Sequence, residues 1–335
     1  MLIDEMYTDA GLDIPFARIT GTRGYSDLHQ VVLAIKDIEI EHLAGLPTRS
    51  MLISKDAPFV KMLPRVLEGF YELVPHKAIL QKLETEDPQF QAVVMEQAAC
   101  VNSALFCQEI VEYLQKKYSK RFSIYENTHI IKTVLKEKNV FLDADKFTIH
   151  AERAVLCTNG FESIHILNEG GLEIDKKFHH LVNGRVGYMS GYLEKLNKPN
   201  AAVSYYVAGN DPFNDHPDPY FYLTRRLHEM EDQQKHNLVC IGGPEVEIPD
   251  RKEYHNDFDY PDTHQKDIDA FVKKEYEPDP TTKIEYQFTW HGLMGYTTNG
   301  VRMVGRDPKN SVLLYNLGCN GVGILPSIFG GEKVS

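Results

Sequence analysis

A glycine-rich turn near the C-terminal end of the sequence has residue types and a spacing that could bind a ligand. Residues 311–317 (SVLLYNL) predict a buried strand, the next six residues (GCNGVG) a tight turn, and Ile324 the start of a helix. A strand, a glycine turn and a helix N-terminus direct several backbone N–H groups towards one point, where the helix dipole adds positive potential. The pattern therefore favours a binding site for an anion or an electron-rich ring. The alternative is an ordinary strand-to-helix turn, which has the same pattern.

Several short elements around this turn occur in an order that is more specific than the turn alone. They are Trp290-His291-Gly292, Gly295-Tyr296-Thr297, Asn299-Gly300, Val304-Gly305 and the turn itself. In this order they resemble the C-terminal flavin-binding segment of the FAD-dependent oxidoreductases of the D-amino-acid-oxidase-like family, which includes glycine oxidase and sarcosine oxidase. The resemblance is strongest at residues 100–165 and 286–331 and weak before residue 95.

The resemblance implies FAD as the cofactor and a set of residues that hold it. In the family, the strand similar to residues 154–158 (AVLCT) ends beside the dinucleotide, and the strand similar to residues 128–130 passes the adenine. A plain turn after the first of these strands is the alternative. The residues assigned to the cofactor are Ile130, Thr158, Asn159, Gly160, Trp290, Gly292, Gly318, Cys319, Asn320, Gly321, Val322, Gly323 and Ile324.

Two departures from the family affect how FAD would be bound and reoxidised. Members similar to sarcosine oxidase attach the flavin through a cysteine and use a lysine near it when oxygen reacts. By resemblance, Met294 and Leu325 occupy these two places. The resemblance therefore implies noncovalent FAD, with either oxygen or another acceptor taking the electrons.

Several side chains are candidates for contact with the substrate. His291 precedes the flavin segment and is predicted to lie near the ring, with a structural histidine as the alternative. A substrate carboxylate calls for arginine, which binds it through two parallel hydrogen bonds. Arg185 and Arg225 are the first two candidates and Arg302 the third, with surface arginines as the alternative. Tyr222 lies on the same predicted strand as Arg225, and strand alternation puts the two on opposite faces.

One element of the family has no counterpart near the start of the sequence. The family normally opens with a strand, G-x-G-x-x-G and a helix, which bind the FAD pyrophosphate. Here Gly21-Thr22-Arg23-Gly24 has the wrong spacing, and residues 1–10 look like the end of an amphipathic helix that stops at Gly11. We expect from this that the chain is a fragment that has lost the first strand–loop–helix–strand unit. The rival interpretation is a protein that never had this unit.

The pattern of elements predicts an α/β fold with an α+β substrate region. Helices are predicted at residues 27–42, 64–73 and 102–118, strands at 121–125, 130–136, 140–143, 147–150 and 154–158, and a mainly antiparallel sheet over 172–289. By resemblance, a Rossmann-like FAD/NAD(P)-binding domain, incomplete at its N-terminus, is interleaved with an antiparallel-sheet substrate domain. The expected division is 100–166 plus 290–335 for the FAD-binding domain and 1–99 plus 167–289 for the substrate domain.

Composition limits the classes of partner. The net charge is −12 without a basic stripe, which argues against nucleic acid. No apolar run approaches the roughly 20 residues of a membrane helix. The five scattered cysteines, without a C-x-x-C pair, favour reduced thiols and a cytoplasmic location, and no spacing of ligands predicts a metal site.

Three functions are compatible with these patterns. The first, which the resemblance favours, is oxidation of a C–N bond of an amine or amino acid by hydride transfer to flavin, with this chain as part of the enzyme. The second is a non-catalytic scaffold or binding protein of the same fold that has lost flavin binding. The third, a pyridine-nucleotide dehydrogenase of another α/β type, is disfavoured because no G-x-G-x-x-G occurs.

Overall fold

The computed structural model describes most of the chain. The described residues are 2–47, 49–159, 164–174, 181–207, 220–230, 232–248, 254, 259–277, 279 and 281–335. The helices in them are α1 (Leu2–Ala10), α2 (Leu28–Leu43), α3 (His76–Leu83), α4 (Ser103–Lys117), α5 (Asp262–Phe271) and α6 (Ile324–Val334). The strands are β1 (Ala17–Tyr25), β2 (Ser50–Ser54), β3 (Glu72–Val74), β4 (Ala92–Cys100), β5 (Ile130–Leu135), β6 (Val140–Ala144), β7 (Thr148–Ala151), β8 (Ala154–Leu156), β9 (His165–Asn168), β10 (Val182–Glu194), β11 (Ala201–Tyr206), β12 (Tyr220–Glu229), β13 (Lys235–Ile248), β14 (Tyr286–Thr297), β15 (Met303–Arg306) and β16 (Leu313–Leu317).

Nine of these strands form one large sheet, in the order β14-β10-β13-β12-β11-β1-β4-β2-β3. The four strands β14, β10, β13 and β12 pair antiparallel, as predicted for residues 172–289. Strand β11 shows why the sheet forms here, since its residues alternate between buried and half-buried positions as a period-two pattern requires. The buried face packs against α3 and α5 around Tyr205, Leu223 and Phe271.

Two smaller sheets lie in the region where the resemblance is strongest. Strands β15, β16 and β8 form one of them, with β16 and β8 parallel, and β7, β6, β5 and β9 form the other. Buried side chains from both, including Leu135, Leu156 and Leu313, share one core. Because β8 and β16 are parallel, their carboxyl ends meet at the same edge, which is where α/β sheets bind ligands.

The predicted helices and strands are mostly confirmed. Asp27 caps α2 by accepting the N–H of Gln30, and Asn102 caps α4 by accepting the N–H of Leu105. Two predictions are wrong. Residues 64–73 form a short 3-10 turn followed by the start of β3 instead of a helix, and residues 121–125 are not a strand. Gly69 lies in the middle of this stretch with φ of +106°, a backbone conformation that interrupts an α-helix.

Helices α1 and α6 come from opposite ends of the sequence and pack together. Ile3 of α1, Ile328 of α6 and Phe106 of α4 belong to one apolar cluster. The helix predicted for residues 1–10 is confirmed, and it ends at Gly11, which has φ of +62°. None of the described helices is both long and apolar enough to cross a bilayer.

Candidate functional site

One face of the large sheet carries the candidate residues Arg185, Tyr222 and Trp290. Strands β10 and β14 pair Arg185 with Met294 and Met189 with Trp290, and side chains paired in this way project from the same face. Gly292 pairs with Gly187 between them, and a Cβ at Gly187 would lie 2.7 Å from the Met294 methyl group. The absence of a side chain at Gly187 therefore leaves room for Met294 on this face.

Tyr222 reaches the same face from β12. A Cβ atom at Gly242 of β13 would lie 2.5 Å from the Tyr222 hydroxyl oxygen and 2.2 Å from the sulfur of Met189, so Gly242 makes space for both. Burial, together with the nearby charge of Glu245, raises the pKa of Tyr222 to about 12. Its hydroxyl is neutral at physiological pH, as that of an ordinary tyrosine is, and can both donate and accept a hydrogen bond.

Arg185 lies against an aromatic ring and beside a carboxylate. Its guanidinium carbon is 4.9 Å from the ring centroid of Tyr296, which is within cation–π range. Its Nη1 lies 3.8 Å from Oε2 of Glu245, a separation too long for a direct hydrogen bond. Its Nε is buried and has no partner among the described residues. Arg185 thus keeps donor capacity on a face that also carries Tyr222.

The glycine turn meets this group at Tyr296. Gly321 has φ of +78°, and a Cβ there would lie 2.7 Å from the Tyr296 hydroxyl oxygen. Both the left-handed backbone and the close approach require glycine. The structure therefore joins the predicted cofactor turn to the predicted carboxylate-binding Arg185 through one tyrosine ring.

Four amides of the turn have acceptors within the protein. The N–H of Gly318 donates to the carbonyl oxygen of Asn159 (3.1 Å), that of Cys319 to Asn159 Oδ1 (3.0 Å), that of Asn320 to the carbonyl of Gly295 (3.1 Å), and that of Val322 to the carbonyl of Cys319 (3.0 Å). These four donors hold the turn in place and do not point at a ligand. The sequence predicts that several N–H groups of the turn are directed towards one point, and these four are not among the groups left to bind a ligand.

Other donors at the same place remain available. The N–H groups of Gly321, Gly323, Ile324 and Leu325 have no acceptor among the described residues, and no side chain caps α6. They lie where the first turn of α6 begins, so the dipole of this helix adds positive potential. An anion or a ring edge rich in electrons fits these donors.

Asn159 and Asn320 fix the shape of the turn. Both are non-glycine residues with positive φ, +71° and +50° respectively, a conformation that asparagine tolerates better than most residues. The side-chain oxygen of Asn320 accepts the Thr297 N–H (2.8 Å), and its amide nitrogen donates to the Gly300 carbonyl (2.8 Å). The sequence predicts that both residues contact the cofactor. In the structure their side chains bind the backbone of the turn and its neighbours.

His291 lies on the opposite face of β14 from Trp290. It pairs with Tyr188, and its Nδ1 is 3.1 Å from the hydroxyl oxygen of Tyr254. Strand alternation separates its ring from the face that carries Arg185 and Tyr222. The structure does not bring His291 together with the other candidates.

Arg225 is enclosed in the core, on the face of β12 opposite to Tyr222. Its Nη1 and Nη2 donate to the two carboxylate oxygens of Glu84 at 2.8 Å each, its Nε donates to the carbonyl of Pro199 at 2.6 Å, and Nη1 also contacts the Tyr276 hydroxyl. Its side chain is 0% exposed. The guanidinium is committed to protein partners, so the structure does not bring Arg225 to the candidate site.

The remaining candidates lie elsewhere or outside the described residues. Thr158 is exposed after β8, and Ile130 opens β5 in the four-stranded sheet. Gly160 lies outside the described residues. All five cysteines are free, and no group of three or more His, Cys, Asp or Glu side chains in the described part of the chain could hold a metal ion.

Comparison with a family model identifies the class of protein. The model of the FAD dependent oxidoreductase family matches residues 53–335. The chain therefore belongs to this family of enzymes, whose cofactor is FAD, and the predicted resemblance and α/β fold class are confirmed. A search of the curated proteins found no match to the sequence.

Solved structures show the same fold at low identity. Glycine oxidase from Geobacillus kaustophilus is 13% identical with a TM-score of 0.60, over 99% of this chain and 74% of that one. L-proline dehydrogenase from P. horikoshii is 14% identical with a TM-score of 0.63, over 98% and 74%. L-amino acid deaminase from Proteus vulgaris is 12% identical with a TM-score of 0.60, over 98% and 76%. The chain spans about three quarters of the length of each of these structures.

Proposed function

We propose that the chain oxidises the C–N bond of an amino acid, with Arg185 binding the substrate carboxylate. The observation that supports this most is the unpartnered Nε of Arg185 on a face that the cofactor turn reaches through Tyr296. The names of the similar structures (glycine oxidase, L-proline dehydrogenase and L-amino acid deaminase) favour an amino acid over a simple amine.

The residues present fit FAD at the turn. The free N–H groups of Gly321, Gly323 and Ile324 would hold it, and the glycines allow its close approach. When bound, FAD accepts the hydride that leaves the carbon next to the amine. The same N–H groups and the α6 N-terminus would stabilise negative charge that develops on the ring. Met294 has a thioether in place of a thiol, so we propose that FAD is bound noncovalently.

The side chains on the sheet face would orient the substrate. Arg185 would hold the carboxylate, and the neutral Tyr222 hydroxyl would offer a second hydrogen bond at the same face. Glu245 lies 3.8 Å from Arg185 and would offset part of its positive charge. Little proton transfer by the protein is needed if the amine arrives neutral, so orientation and exclusion of water are the main contributions.

The alternative is a binding protein of the same fold without flavin. The observation that favours it is that four of the amides in the turn already have partners within the protein. The predicted division into an FAD-binding and a substrate domain stays a prediction, and its boundary at residue 290 falls inside β14. The expectation that the chain is a fragment also stays a prediction.

A flavin titration followed by substrate addition tests the proposal. The 335-residue chain is titrated with FAD, and flavin absorbance is then followed without oxygen as amino acids, or the matching amines that lack a carboxylate, are added. Arg185→Met should slow reduction by amino acids about 100-fold and leave the amines unaffected, since a charged hydrogen-bond pair contributes about 1.5–3 kcal/mol. Arg153→Met, at an exposed position, is the matched control. A folded chain that binds no flavin would support the alternative.

A further inference from the structure

A cavity lies between the N-terminal end of α4 and the ends of three strands of the large sheet, β1, β4 and β12. Its volume is about 350 Å³, which is near the lower end of the range for ligand pockets. Residues from the segment before β1 and from the start of α4 form one wall, and residues 226–229 of β12 form the other. The cavity therefore has the size to hold a small molecule.

Arg226 lines this cavity without a partner from the protein. It is half-buried, and it makes no hydrogen bond or ion pair with the residues that the structure describes. None of its nitrogen atoms is closed off from solvent, so its donors are open to a ligand. By contrast, Arg23 pairs with Glu96 at 2.7 Å and Arg49 with Glu41 at 2.8 Å. The positive charge of Arg226 lacks the counter-charge that these arginines have.

The other titratable groups of the cavity leave that charge uncompensated. Glu229 is the one carboxylate among the described lining residues, and its Oε2 lies 3.6 Å from Nζ of Lys235. Burial, together with the charges of Arg226 and His236, lowers the pKa of His228, so this lining residue is neutral at physiological pH. The cavity is therefore a positive site in a chain whose net charge is −12, and it favours an anion.

Amide donors and an apolar wall complete the cavity. The side-chain NH2 groups of Asn102 and Asn200 have no acceptor in the part of the chain that the structure describes, and Asn102 uses its side-chain oxygen to cap α4. The apolar wall includes Ile14, Val101, Leu105 and Leu227. Leu105 is 45% exposed and Leu227 is 41% exposed, so a ligand with an apolar chain would be stabilised by covering them.

The cavity is remote from the proposed substrate site. Arg185 pairs with Glu247 of β13, and Arg226 pairs with Leu238 of the same strand. Nine residues of strand separate these two partners, which corresponds to about 30 Å. One amino acid cannot contact both arginines, so a ligand in this cavity would occupy a second site.

We propose that this cavity binds a small aliphatic carboxylic acid in its ionised form. Arg226 holds the carboxylate, because the planar guanidinium matches a carboxylate through two parallel hydrogen bonds. The aliphatic chain packs against Leu105 and Leu227. A single guanidinium balances the one charge of a carboxylate, and the apolar wall excludes a ligand that is polar throughout. The inference depends neither on FAD nor on the reaction proposed above.

Calorimetry on the 335-residue chain, with hexanoate as the probe, tests the ligand class. Hexanoate should bind, and hexanol and hexylamine should bind at least about 10-fold more weakly, because neither supplies a negative charge to Arg226. Each methylene group removed from the chain should weaken binding about fourfold, since the covered apolar surface decreases.

Substitutions locate the site. Arg226→Met should weaken hexanoate binding about 10- to 100-fold, and Arg226→Lys should fall between Arg226→Met and the parent, because lysine keeps the charge without the planar fork. Arg153→Met, at an exposed position, and Arg185→Met, at the proposed substrate site, should leave the affinity unchanged. In NMR titrations, bound hexanoate should raise the pKa of His228 in the parent chain and not in Arg226→Met, since a nearby anion favours the protonated ring.

Four results would overturn the inference. The first is a folded parent chain that does not bind hexanoate, and the second is equal affinity of Arg226→Met and the parent. The third is hexanol binding as tightly as hexanoate, which would leave the guanidinium without a role. The fourth is a loss of affinity in Arg185→Met in place of Arg226→Met, which would put the probe at the proposed substrate site. Thermal unfolding checks that each variant folds, and Arg226→Lys carries the comparison if Arg226→Met does not. Failure of an amino acid to reduce bound flavin would contradict only the proposed reaction.

Discussion

A side chain on Gly321 would collide with Tyr296. A Cβ atom at Gly321 would lie 2.7 Å from the hydroxyl oxygen of Tyr296. The centroid of the same ring lies 4.9 Å from the guanidinium carbon of Arg185. The glycine turn, the aromatic ring and the arginine are therefore one connected unit. A shift of the turn would move the ring that supports Arg185, so we expect the proposed cofactor site and the proposed substrate site to be coupled through this contact.

Gly321→Ala should weaken FAD binding and lower stability. Its φ of +78° is strained for alanine, and the new methyl group would displace Tyr296. We expect a loss of about 1–2 kcal/mol in the free energy of unfolding, and a parallel loss of FAD affinity. Gly331→Ala is the control, since Gly331 lies later in α6, outside the turn, has no positive φ and has no atom within 4 Å of its Cβ position. Thermal unfolding and FAD titration of both variants measure the difference, and equal effects would contradict the role of Gly321.

Arg225→Met should destabilise the fold strongly, whatever its effect on substrate. The change removes a fully buried guanidinium and leaves the Glu84 carboxylate and the Pro199 carbonyl without their donors. Breaking a buried pair of this kind costs about 3–5 kcal/mol, and the low end applies because the Glu84 side chain is 34% exposed. Arg226→Met, at the half-buried neighbouring position, should stay within about 0.5 kcal/mol in urea unfolding. A stable Arg225→Met that loses only substrate binding would restore the original prediction for this residue.

The sequence predicts individual helices and the glycine turn, and it predicts part of the candidate site. Periodicity and capping residues identified α2 and α4, and glycine spacing identified the turn before α6. Strand alternation separated Tyr222 from Arg225 correctly. The same rule, applied to β14, would have separated His291 from Trp290, because neighbouring residues on a strand face opposite ways.

Contacts across strands could not be predicted. Glu245 comes within reach of Arg185 only because β10 and β13 pair with a shift in register after Gly187, and no local pattern specifies that register. The partners of Arg225 come from residues 84, 199 and 276, which are far apart in the sequence. Tyr296 was within the matching block, but its place under Arg185 depends on the pairing of β10 with β14.

Substitutions of Asn159 should separate its backbone role from its side-chain role. The side-chain oxygen accepts the Cys319 N–H, and the residue has φ of +71°. Asn159→Asp keeps an acceptor, Asn159→Gly keeps the backbone conformation alone, and Asn159→Ala keeps neither. We expect stability and FAD affinity to fall in that order, by about 1 kcal/mol at each step. Thermal unfolding and FAD titration give the order, and an alanine variant equal to the aspartate variant would show that the turn does not depend on this residue.

Alkaline pH should destabilise the protein partly through Tyr222. Burial and the Glu245 charge raise its pKa to about 12, against 10.0 for an ordinary tyrosine. Between these two values the unfolded chain has lost the phenol proton and the folded chain has kept it, so the free energy of unfolding falls as pH rises. Two pKa units correspond to about 2–3 kcal/mol. Tyr25 and Tyr276, also raised to about 12 by burial, add to the same slope.

Tyr222→Phe isolates the share of this one residue. The variant lacks the phenol, so its stability should fall less steeply between pH 10 and 12 than that of the parent chain, while the contributions of Tyr25 and Tyr276 remain. Urea unfolding midpoints measured at pH steps across this range give the two slopes. Equal slopes would mean that the pKa of Tyr222 is not raised in the folded protein, which would contradict the burial of its hydroxyl.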